Sequence, residues 1–509
     1  MKKRFAALCG LTLALCALPL SPIAAQSQAV SVRAYRETNE AKIISEFVDL
    51  LAIPNTASDR ENIRRNAAKL VEMMQRRGLK TQMLEGQGSP AVYGELMVPG
   101  ATRTLGFYAH YDGQPADPKT WASHPFQPVL RDKAIEAGGR VIEFPAAGQR
   151  IAPESRLYAR SASDDKAPIL ALLAALDAVN ATGKPLTSNI KFLFEGEEED
   201  GSPFLDDIIR RNAALLKADA WVCADGPVHQ TRKNMIYFGV RGVVQMHITV
   251  YGPTRGLHSG HYGNWAPNPA LRLAQLLATM KDDSGRVLIE GFYDDVEPLG
   301  AAEKKAIRDM PAVEAGLMNE LGLASTDGGG KLLGELIAEP SLNIDGIRSE
   351  YVGAEARTII PMEATVTLDL RLVKGNDPRR QVEKVIRHIK KQGYFITETE
   401  PDLPTRRKHA KLARVTSDKG YRAVRTAMNL PVARQMIQAV EQALGERPVL
   451  APTLGGSVPL YILEVGLQAP QIGVPIVNHD NNQHSINENV RIQNLWDGIE
   501  IYAAIFTMR

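Results

Sequence analysis

Short apolar runs alternate with helix-like stretches along the first half of the chain. Residues 61–78 carry apolar side chains at helical spacing and end in a glycine, which predicts a helix. Apolar runs at 105–108, 190–194 and 220–224 each end abruptly in polar residues, as buried strands do at the edge of a sheet. A Leu- and Ala-rich stretch at 169–179 predicts a helix between the first two runs. Strands that alternate with helices predict an α/β domain with a mainly parallel sheet.

The pattern changes in the middle of the chain. Longer, partly alternating apolar stretches near 235–251 and 365–373 predict strands, and 271–280 predicts a helix between them. This combination predicts an antiparallel sheet with helices, inserted into the first domain. Helical and strand patterns near 437–444 and 471–476 then return the chain to that first domain. The predicted segments are a signal at 1–25, the first domain at 26–237 and 406–509, and the inserted domain at 238–405.

The first residues of the chain have the composition of a secretory signal. Basic residues at 2–4 precede an apolar stretch at 5–20, and the small residues Ala24 and Ala25 follow. The apolar stretch is too short to favour a membrane span, and an uncleaved N-terminal anchor is the alternative. We therefore expect export to the periplasm, with full secretion as the alternative, and no membrane association once the signal is removed.

The net charge narrows the classes of possible binding partner, and the cysteine content limits the possible disulfide bonds. The formal net charge is +2, and loss of three basic residues with the signal leaves about −1. A chain so close to neutrality has no overall electrostatic reason to bind nucleic acid or anionic lipid. Only Cys223 lies beyond the predicted signal, so an internal disulfide is excluded and this cysteine is expected to be a small buried hydrophobe.

Acidic residues and histidines cluster where the predicted buried strands end. His110 and Asp112 follow the first strand, a run of four acids at 197–200 follows the second, and Asp225 follows the third. In such sheets ligands gather beyond the carboxyl ends of the strands. Carboxylates at the mouth of a buried sheet need cations to compensate them, and carboxylates mixed with imidazoles suit zinc, manganese or cobalt. The ordinary alternative for each cluster is a solvated loop.

Two other segments could contribute to the same site. Asp164, in the cluster at 163–166, could cap a helix, or its two carboxylate oxygens could bridge two cations. A later loop contains His479 and His484, and either could be an ordinary surface residue or a metal ligand. The residues alone leave this choice open.

Eight segments, taken in order, resemble the successive motifs of the M20 aminoacylase/carboxypeptidase superfamily, nearest to its carnosinase-like and glutamate-carboxypeptidase-like dipeptidase branch. They read HYDGQP, SASDDKAP, FEGEEEDGSP, CADGP, LHSGHYG, RTIIP with LDLRLV, LGGSVP and HSINEN, and they span nearly all of the chain after the signal. One such motif alone would be weak, whereas eight in the same order are hard to attribute to chance. The resemblance implies an α/β fold in which a mainly parallel-sheet metallohydrolase catalytic domain carries an inserted α+β lid/dimerisation domain.

The resemblance also implies a site that holds two divalent ions, zinc first, with manganese or cobalt as alternatives. The ligands it implies are His110, Asp164 and Asp225 for one ion, and Asp164, Glu199 and His484 for the other. Asp112 would orient His110, and Glu198 would act as general base by receiving a proton from a water that bridges the ions. The peptide bond between Asp164 and Asp165 is expected to be cis.

Substrate-binding residues follow from the same resemblance. His258 matches a histidine that reaches the active site of another subunit and stabilises an oxyanion there, which implies a homodimer. Thr358, Arg371 and Ser457 match positions that hold the free carboxylate of the substrate. His258 could instead be an interfacial histidine without a catalytic role, and Arg371 a surface residue at a strand end.

The leading functional prediction is an exported di-metal peptidase that hydrolyses dipeptides or short peptides with a free carboxyl end. An N-acyl-amino-acid amidohydrolase is the nearest alternative, since both reactions cleave an amide next to a carboxylate-bearing product. A non-catalytic binding protein with the same fold is less favoured, because it would not need Glu198. Leu454 stands where carnosinase-like enzymes often carry an acid, which argues against carnosine as the substrate.

Overall fold

The structure is a computed structural model that describes residues 21–458 and 460–509, with side chains from residue 32 onward. The predicted signal lies outside the described residues except for positions 21–25, which begin the first helix. No helix in the described part of the chain is both long and apolar enough to cross a bilayer.

The first part of the described chain alternates between strands and helices, as the hydrophobic pattern predicts. Its helices are α1 (Ser21–Leu51), α2 (Arg60–Gln75), α3 (Lys166–Ala181), α4 (Leu205–Arg211) and α5 (Ala213–Leu216). Its strands are β1 (Lys80–Leu84), β2 (Ala91–Leu96), β3 (Thr104–His110), β4 (Val129–Arg131), β5 (Val141–Ile142), β6 (Arg156–Tyr158), β7 (Asn189–Glu195), β8 (Ala220–Cys223) and β9 (Met235–Tyr237). The helices predicted at 61–78 and 169–179 are confirmed as α2 and α3.

The middle and last parts of the chain supply the remaining elements. The strands of the middle part are β10 (Gly239–Val240), β11 (Gly242–Tyr251), β12 (Leu257–His258), β13 (Ser341–Arg348), β14 (Ile359–Ile360), β15 (Glu363–Leu372), β16 (Phe395–Thr397) and β17 (Leu412–Ser417). Its helices are α6 (Ser259–Tyr262), α7 (Pro269–Ala278), α8 (Ala301–Asp309), α9 (Glu314–Glu320), α10 (Leu333–Ile337), α11 (Pro378–Lys391) and α12 (Leu403–Lys408). The last part contains β18 (Val424–Arg425), α13 (Pro431–Leu444), β19 (Val449–Ala451), α14 (Leu460–Leu467), β20 (Gln471–Gly473), β21 (Asn489–Arg491) and α15 (Ile492–Phe506).

An eight-stranded sheet in the order β1-β2-β7-β3-β8-β20-β9-β19 forms the first domain. Its central strands β7, β3, β8 and β20 are parallel, which confirms the predicted α/β class, while β2, β9 and β19 run in the opposite direction. Helices α1, α3, α13 and α15 contribute to the core on one face of the sheet, and α4 and α14 to the core on the other. Nearly every side chain of α3 is buried, which explains its Leu- and Ala-rich sequence.

A five-stranded sheet in the order β13-β15-β11-β17-β16 forms the inserted part, which we call the lid domain. All of its pairs are antiparallel except β16–β17, and α7 and α11 pack against one face. Because β17 pairs with β11, this sheet extends to Ser417, beyond the predicted end of the inserted domain at 405. The chain returns to the first domain through β18, which pairs with β10. The pairing of β17 with β11 joins strands that are far apart in the sequence.

Candidate metal centre

Three of the five predicted metal ligands lie at or just after the carboxyl ends of neighbouring strands of the large sheet. His110 is the last residue of β3, Glu199 lies in a 3₁₀ turn after β7, and Asp225 follows β8. These strands are parallel neighbours, so their carboxyl ends meet at one edge of the sheet. Asp164 comes from the loop before α3, and His484 comes from the loop between β20 and β21.

Asp164 stands between the two predicted histidine ligands. Its Oδ1 lies 2.9 Å from His110 Nε2, and its Oδ2 lies 3.2 Å from His484 Nε2. His484 Nε2 is also 3.1 Å from Glu199 Oε2. Ligand atoms of His110, Asp164 and Asp225 lie within 4.8 Å of one another, and those of Asp164, Glu199 and His484 do the same. The structure therefore brings all five predicted ligands together, with Asp164 shared by both groups.

Asp112 connects the first histidine to the acidic turn after β7. His110 Nδ1 lies 3.3 Å from Asp112 Oδ1, as expected of a carboxylate that orients a metal-binding imidazole. Asp112 also accepts hydrogen bonds from the backbone N–H groups of Glu198 at 3.1 Å and Glu199 at 3.0 Å. The predicted base and two predicted ligands are thus held by one buried carboxylate.

The site concentrates negative charge away from solvent. Burial, and then the charge of Asp164, raise the pKa of Asp225 to about 7. Burial also raises the pKa of Glu198 well above its usual range. Burial alone would raise the pKa of Asp164, but hydrogen bonds and charge from the two histidines lower it overall. Among the described residues, the ion pairs of these carboxylates are with histidine, and none is with Lys or Arg.

These residues fit two divalent cations. The donor set combines carboxylate oxygens with imidazole nitrogens, as zinc, manganese and cobalt sites do. Asp164 and Asp165 are joined by a cis peptide bond, as predicted. Asp164 and Asp225 are buried and have no Lys or Arg partner among the described residues, and buried carboxylates without a fixed positive partner need a cation. Which metal is bound stays a prediction.

Two residues that belong to this region were not predicted. Glu488 is fully buried and accepts hydrogen bonds from the loop that carries Asp164. Its only signal in the sequence is its place in the motif HSINEN, four residues after His484. Tyr421 belongs to the same region, since Glu198 and Ser457 both influence its pKa, and no local pattern marks that tyrosine.

Arg371 and Ser457, both predicted to bind the substrate carboxylate, are in contact. Arg371 Nη1 donates to Ser457 Oγ at 2.8 Å, and Arg371 Nε donates to Asp369 Oδ2 at 2.9 Å. Burial, and then the charge of Glu198, raise the pKa of Tyr421 to about 12. The guanidinium on β15 of the lid domain and the hydroxyl from the first domain therefore meet.

His258 and Thr358 lie side by side on an exposed part of the lid domain. The pairing of β12 with β14 sets His258 opposite Ile359, and the carbonyl oxygen of Thr358 accepts the N–H of Ser259 at 2.9 Å. His258 Nδ1 accepts the N–H of Gly260 at 3.0 Å. In the part of the chain that the structure describes, no hydrogen bond or ion pair joins either residue to a predicted metal ligand. Their predicted roles therefore have no support from contacts within one chain.

Comparison with known proteins identifies the family. The sequence profile of peptidase family M20/M25/M40 matches residues 106–508, a stretch that contains all five predicted ligands. The chain is 26% identical over 476 residues to the Cys-Gly metallodipeptidase of Schizosaccharomyces pombe, covering 92% of this chain and 93% of that protein. It is 26% identical over 466 residues to the Beta-Ala-His dipeptidase of Homo sapiens, covering 88% and 85%.

A solved structure supports the same family assignment. The M20 family metallo-carboxypeptidase of Sulfolobus solfataricus superposes with a TM-score of 0.73 at 29% identity, covering 92% of this chain and 98% of that one. The match therefore extends over both the large sheet and the lid domain. Together with the ligand geometry and the family profile, it leads to one conclusion: the chain belongs to peptidase family M20/M25/M40 and is a metal-dependent peptidase.

Proposed function

We propose that this peptidase hydrolyses dipeptides or short peptides with a free carboxyl end. The observation that carries the proposal is the shared carboxylate of Asp164, whose two oxygens face His110 and His484, each in a separate ligand group. The relatives named Cys-Gly metallodipeptidase and Beta-Ala-His dipeptidase align with most of the chain, which supports a dipeptide substrate.

The proposed reaction assigns separate tasks to neighbouring residues. Two divalent ions, zinc first, with manganese or cobalt as alternatives, would polarise the scissile carbonyl and lower the pKa of water when held by the five ligands. Glu198 belongs to neither ligand group, so its carboxylate is free to take a proton from the attacking water and pass it to the leaving amine. Asp112 holds the backbone of Glu198 and contacts the ring of His110, so the base keeps a constant position relative to that ligand.

A substrate panel tests the proposed class. We expect the zinc- or manganese-loaded enzyme to release amino acids from free dipeptides faster than from dipeptide amides or N-acetylated amino acids. Because Leu454 replaces an acid, the dipeptide Cys-Gly should be a better substrate than β-alanyl-histidine. Cleavage of N-acetylated amino acids alone would identify a deacylase, and no cleavage with either ion would reject the proposal.

Replacing Arg371 with Met should raise KM for a dipeptide by about 10- to 100-fold, because a hydrogen bond to a charged group contributes about 1.5–3 kcal/mol. A dipeptide amide lacks the carboxylate, so the KM for this substrate should change little. Steady-state kinetics on the two substrates measure the difference. The control Arg379→Met, on a side chain of α11 that is 89% exposed, should affect neither substrate. Equal losses for the dipeptide and its amide would show that Arg371 does not bind the carboxylate.

We propose that the enzyme works as a homodimer in which the partner's His258 completes each site. His258 and Thr358 are exposed on the lid domain, and the same domain exposes large apolar side chains, with Trp265 79% and Val352 85% exposed. Exposed apolar surface of this kind is typical of protein interfaces. A dimer would cover it and bring the histidine to a second subunit.

Mixing Glu198→Ala subunits with His258→Ala subunits tests that arrangement. A mixed dimer would contain one site with an intact Glu198 and the partner's intact His258, so random reassembly should restore about a quarter of the wild-type activity. Each variant alone should be nearly inactive. If the two variants carry different affinity tags and the purified mixed dimers show no restored activity, His258 does not act across the interface.

We also propose that the enzyme is exported to the periplasm after removal of residues 1–25. The basic and apolar pattern of these residues supports the proposal. N-terminal sequencing of the protein from separated cell fractions would test it, and a cytoplasmic protein that retains Met1 would contradict it.

A further inference from the structure

Glu488 is a fully buried carboxylate that lies outside both ligand groups. Its Oε1 accepts three hydrogen bonds, from the backbone N–H of Ser163 at 3.0 Å, the hydroxyl of Ser163 at 2.9 Å and the backbone N–H of Asp164 at 2.9 Å. Its Oε2 accepts the N–H of Ser161 at 2.9 Å and Nη1 of Arg160 at 2.8 Å. A single side chain therefore holds the turn that leads into the shared ligand.

The same cluster reaches the loop that carries the other histidine ligand. Arg160 Nη2 donates to the carbonyl oxygen of Ser485 at 3.1 Å, next to His484. Glu488 itself follows His484 by four residues. The buried ion pair of Arg160 and Glu488 thus joins the Asp164 loop to the His484 loop. His110 and Asp225 lie outside this cluster, His110 as the last residue of β3 and Asp225 just after β8.

The position of Asp164 depends on this contact for a geometric reason. Each of its carboxylate oxygens must face a different histidine, so a small rotation of the preceding backbone would move both oxygens at once. Hydrogen bonds to the N–H groups of Ser163 and Asp164 restrict that rotation. Groups that orient metal ligands in this way contribute about 10- to 100-fold to metal affinity.

We propose that Glu488 is a positioning residue that holds Asp164 and His484 in the geometry required to bind the second metal ion. The inference rests on the di-metal site of the proposed function, but metal binding is measured without substrate. A purely structural role for Glu488 would change the stability of the protein and leave its metal affinity unchanged.

Glu488→Gln provides the test. The amide keeps the size of the side chain, but its NH₂ group must face either the donors of Ser163 and Asp164 or those of Ser161 and Arg160. Metal-free protein is titrated with Co²⁺ by absorption and with Zn²⁺ by competition calorimetry. Wild type should bind two equivalents, whereas the variant should bind the second about 10- to 100-fold more weakly. The affinity for the first equivalent should change less, because His110 and Asp225 keep their positions.

Glu500→Gln is the matched control. Glu500 is also a buried carboxylate paired with arginines, but its partners Arg33 and Arg36 lie in α1. This change should lower the thermal midpoint and leave both metal equivalents as in wild type. Glu488→Asp keeps the charge but withdraws the carboxylate by one methylene, and it should weaken the second equivalent to an intermediate degree.

The proposal is overturned if Glu488→Gln binds both equivalents with wild-type affinity. If that variant does not fold, wild-type affinity in Glu488→Asp overturns it instead. A wild-type protein that binds two ions but cleaves no dipeptide would contradict the proposed function and leave the role of Glu488 intact. The two proposals can therefore fail separately.

Discussion

Glu198→Gln protein should bind two divalent ions as wild type does but hydrolyse dipeptides about 10²- to 10⁴-fold more slowly. The amide has the size of the carboxylate but cannot take up a proton from water. Metal binding should persist because Glu198 belongs to neither ligand group. Release of free amino acids measures kcat, and elemental analysis after dialysis measures the bound metal.

Asp200→Asn is the control for this variant. Asp200 lies in the same 3₁₀ turn as Glu198, but its side chain is exposed. Its replacement should leave kcat unchanged. If Glu198→Gln kept more than about a tenth of the wild-type kcat, another group would have to transfer the proton. Loss of metal from the same variant would identify Glu198 as a ligand rather than the base.

The Asp164→Asn variant should lose affinity for both metal ions. Because the reaction needs these ions, the variant should show no measurable peptidase activity. Among the described residues, Asp164 is the one that both ligand groups share. An amide offers one neutral oxygen, and its NH₂ group cannot bind a cation, so it cannot bridge two ions. After metal removal with a chelator, wild type should regain activity on addition of zinc or manganese, and Asp164→Asn should not.

The Asp225→Asn variant should lose one metal ion, whereas Asp164→Asn should lose both. Asp225 belongs to a single group, so this variant should retain one equivalent at Asp164, Glu199 and His484. Calorimetric titration with Zn²⁺ should therefore give about one equivalent for Asp225→Asn and none of comparable affinity for Asp164→Asn. Two equivalents in Asp164→Asn would show that this carboxylate does not bridge the ions.

The local sequence pattern was sufficient to predict the central strands of the large sheet and the edge of the sheet where the site lies. The apolar runs at 105–108 and 190–194 fall within the parallel strands β3 and β7, and the run at 220–224 covers β8 and one residue beyond it. Parallel strands are buried on both faces, so they read as continuous apolar runs that end where the chain reaches the sheet edge. His110 and Asp225 could be placed there without any knowledge of the fold.

The choice between similar loop residues needed more than local pattern. His479 and His484 are both loop histidines, and only the family motif HSINEN favoured the second. In the structure, His484 faces Asp164 and Glu199. His479 lies instead near His229, whose pKa is lowered by burial and then by the charge of His479. Spacing along the chain does not separate these two environments.

The hydrophobic pattern was sufficient to predict the α/β class, the inserted antiparallel domain and the strand ends near which His110, Glu199 and Asp225 lie. The folded chain was needed to find that β17 extends the lid sheet to Ser417 and that Glu488 accepts a hydrogen bond from Asp164, 324 positions away in the chain. The spacing of apolar residues shows which side of a helix or strand is buried, because that spacing is contained within the element itself. The partner that a side chain meets depends on the register and packing of distant segments, which no local window contains.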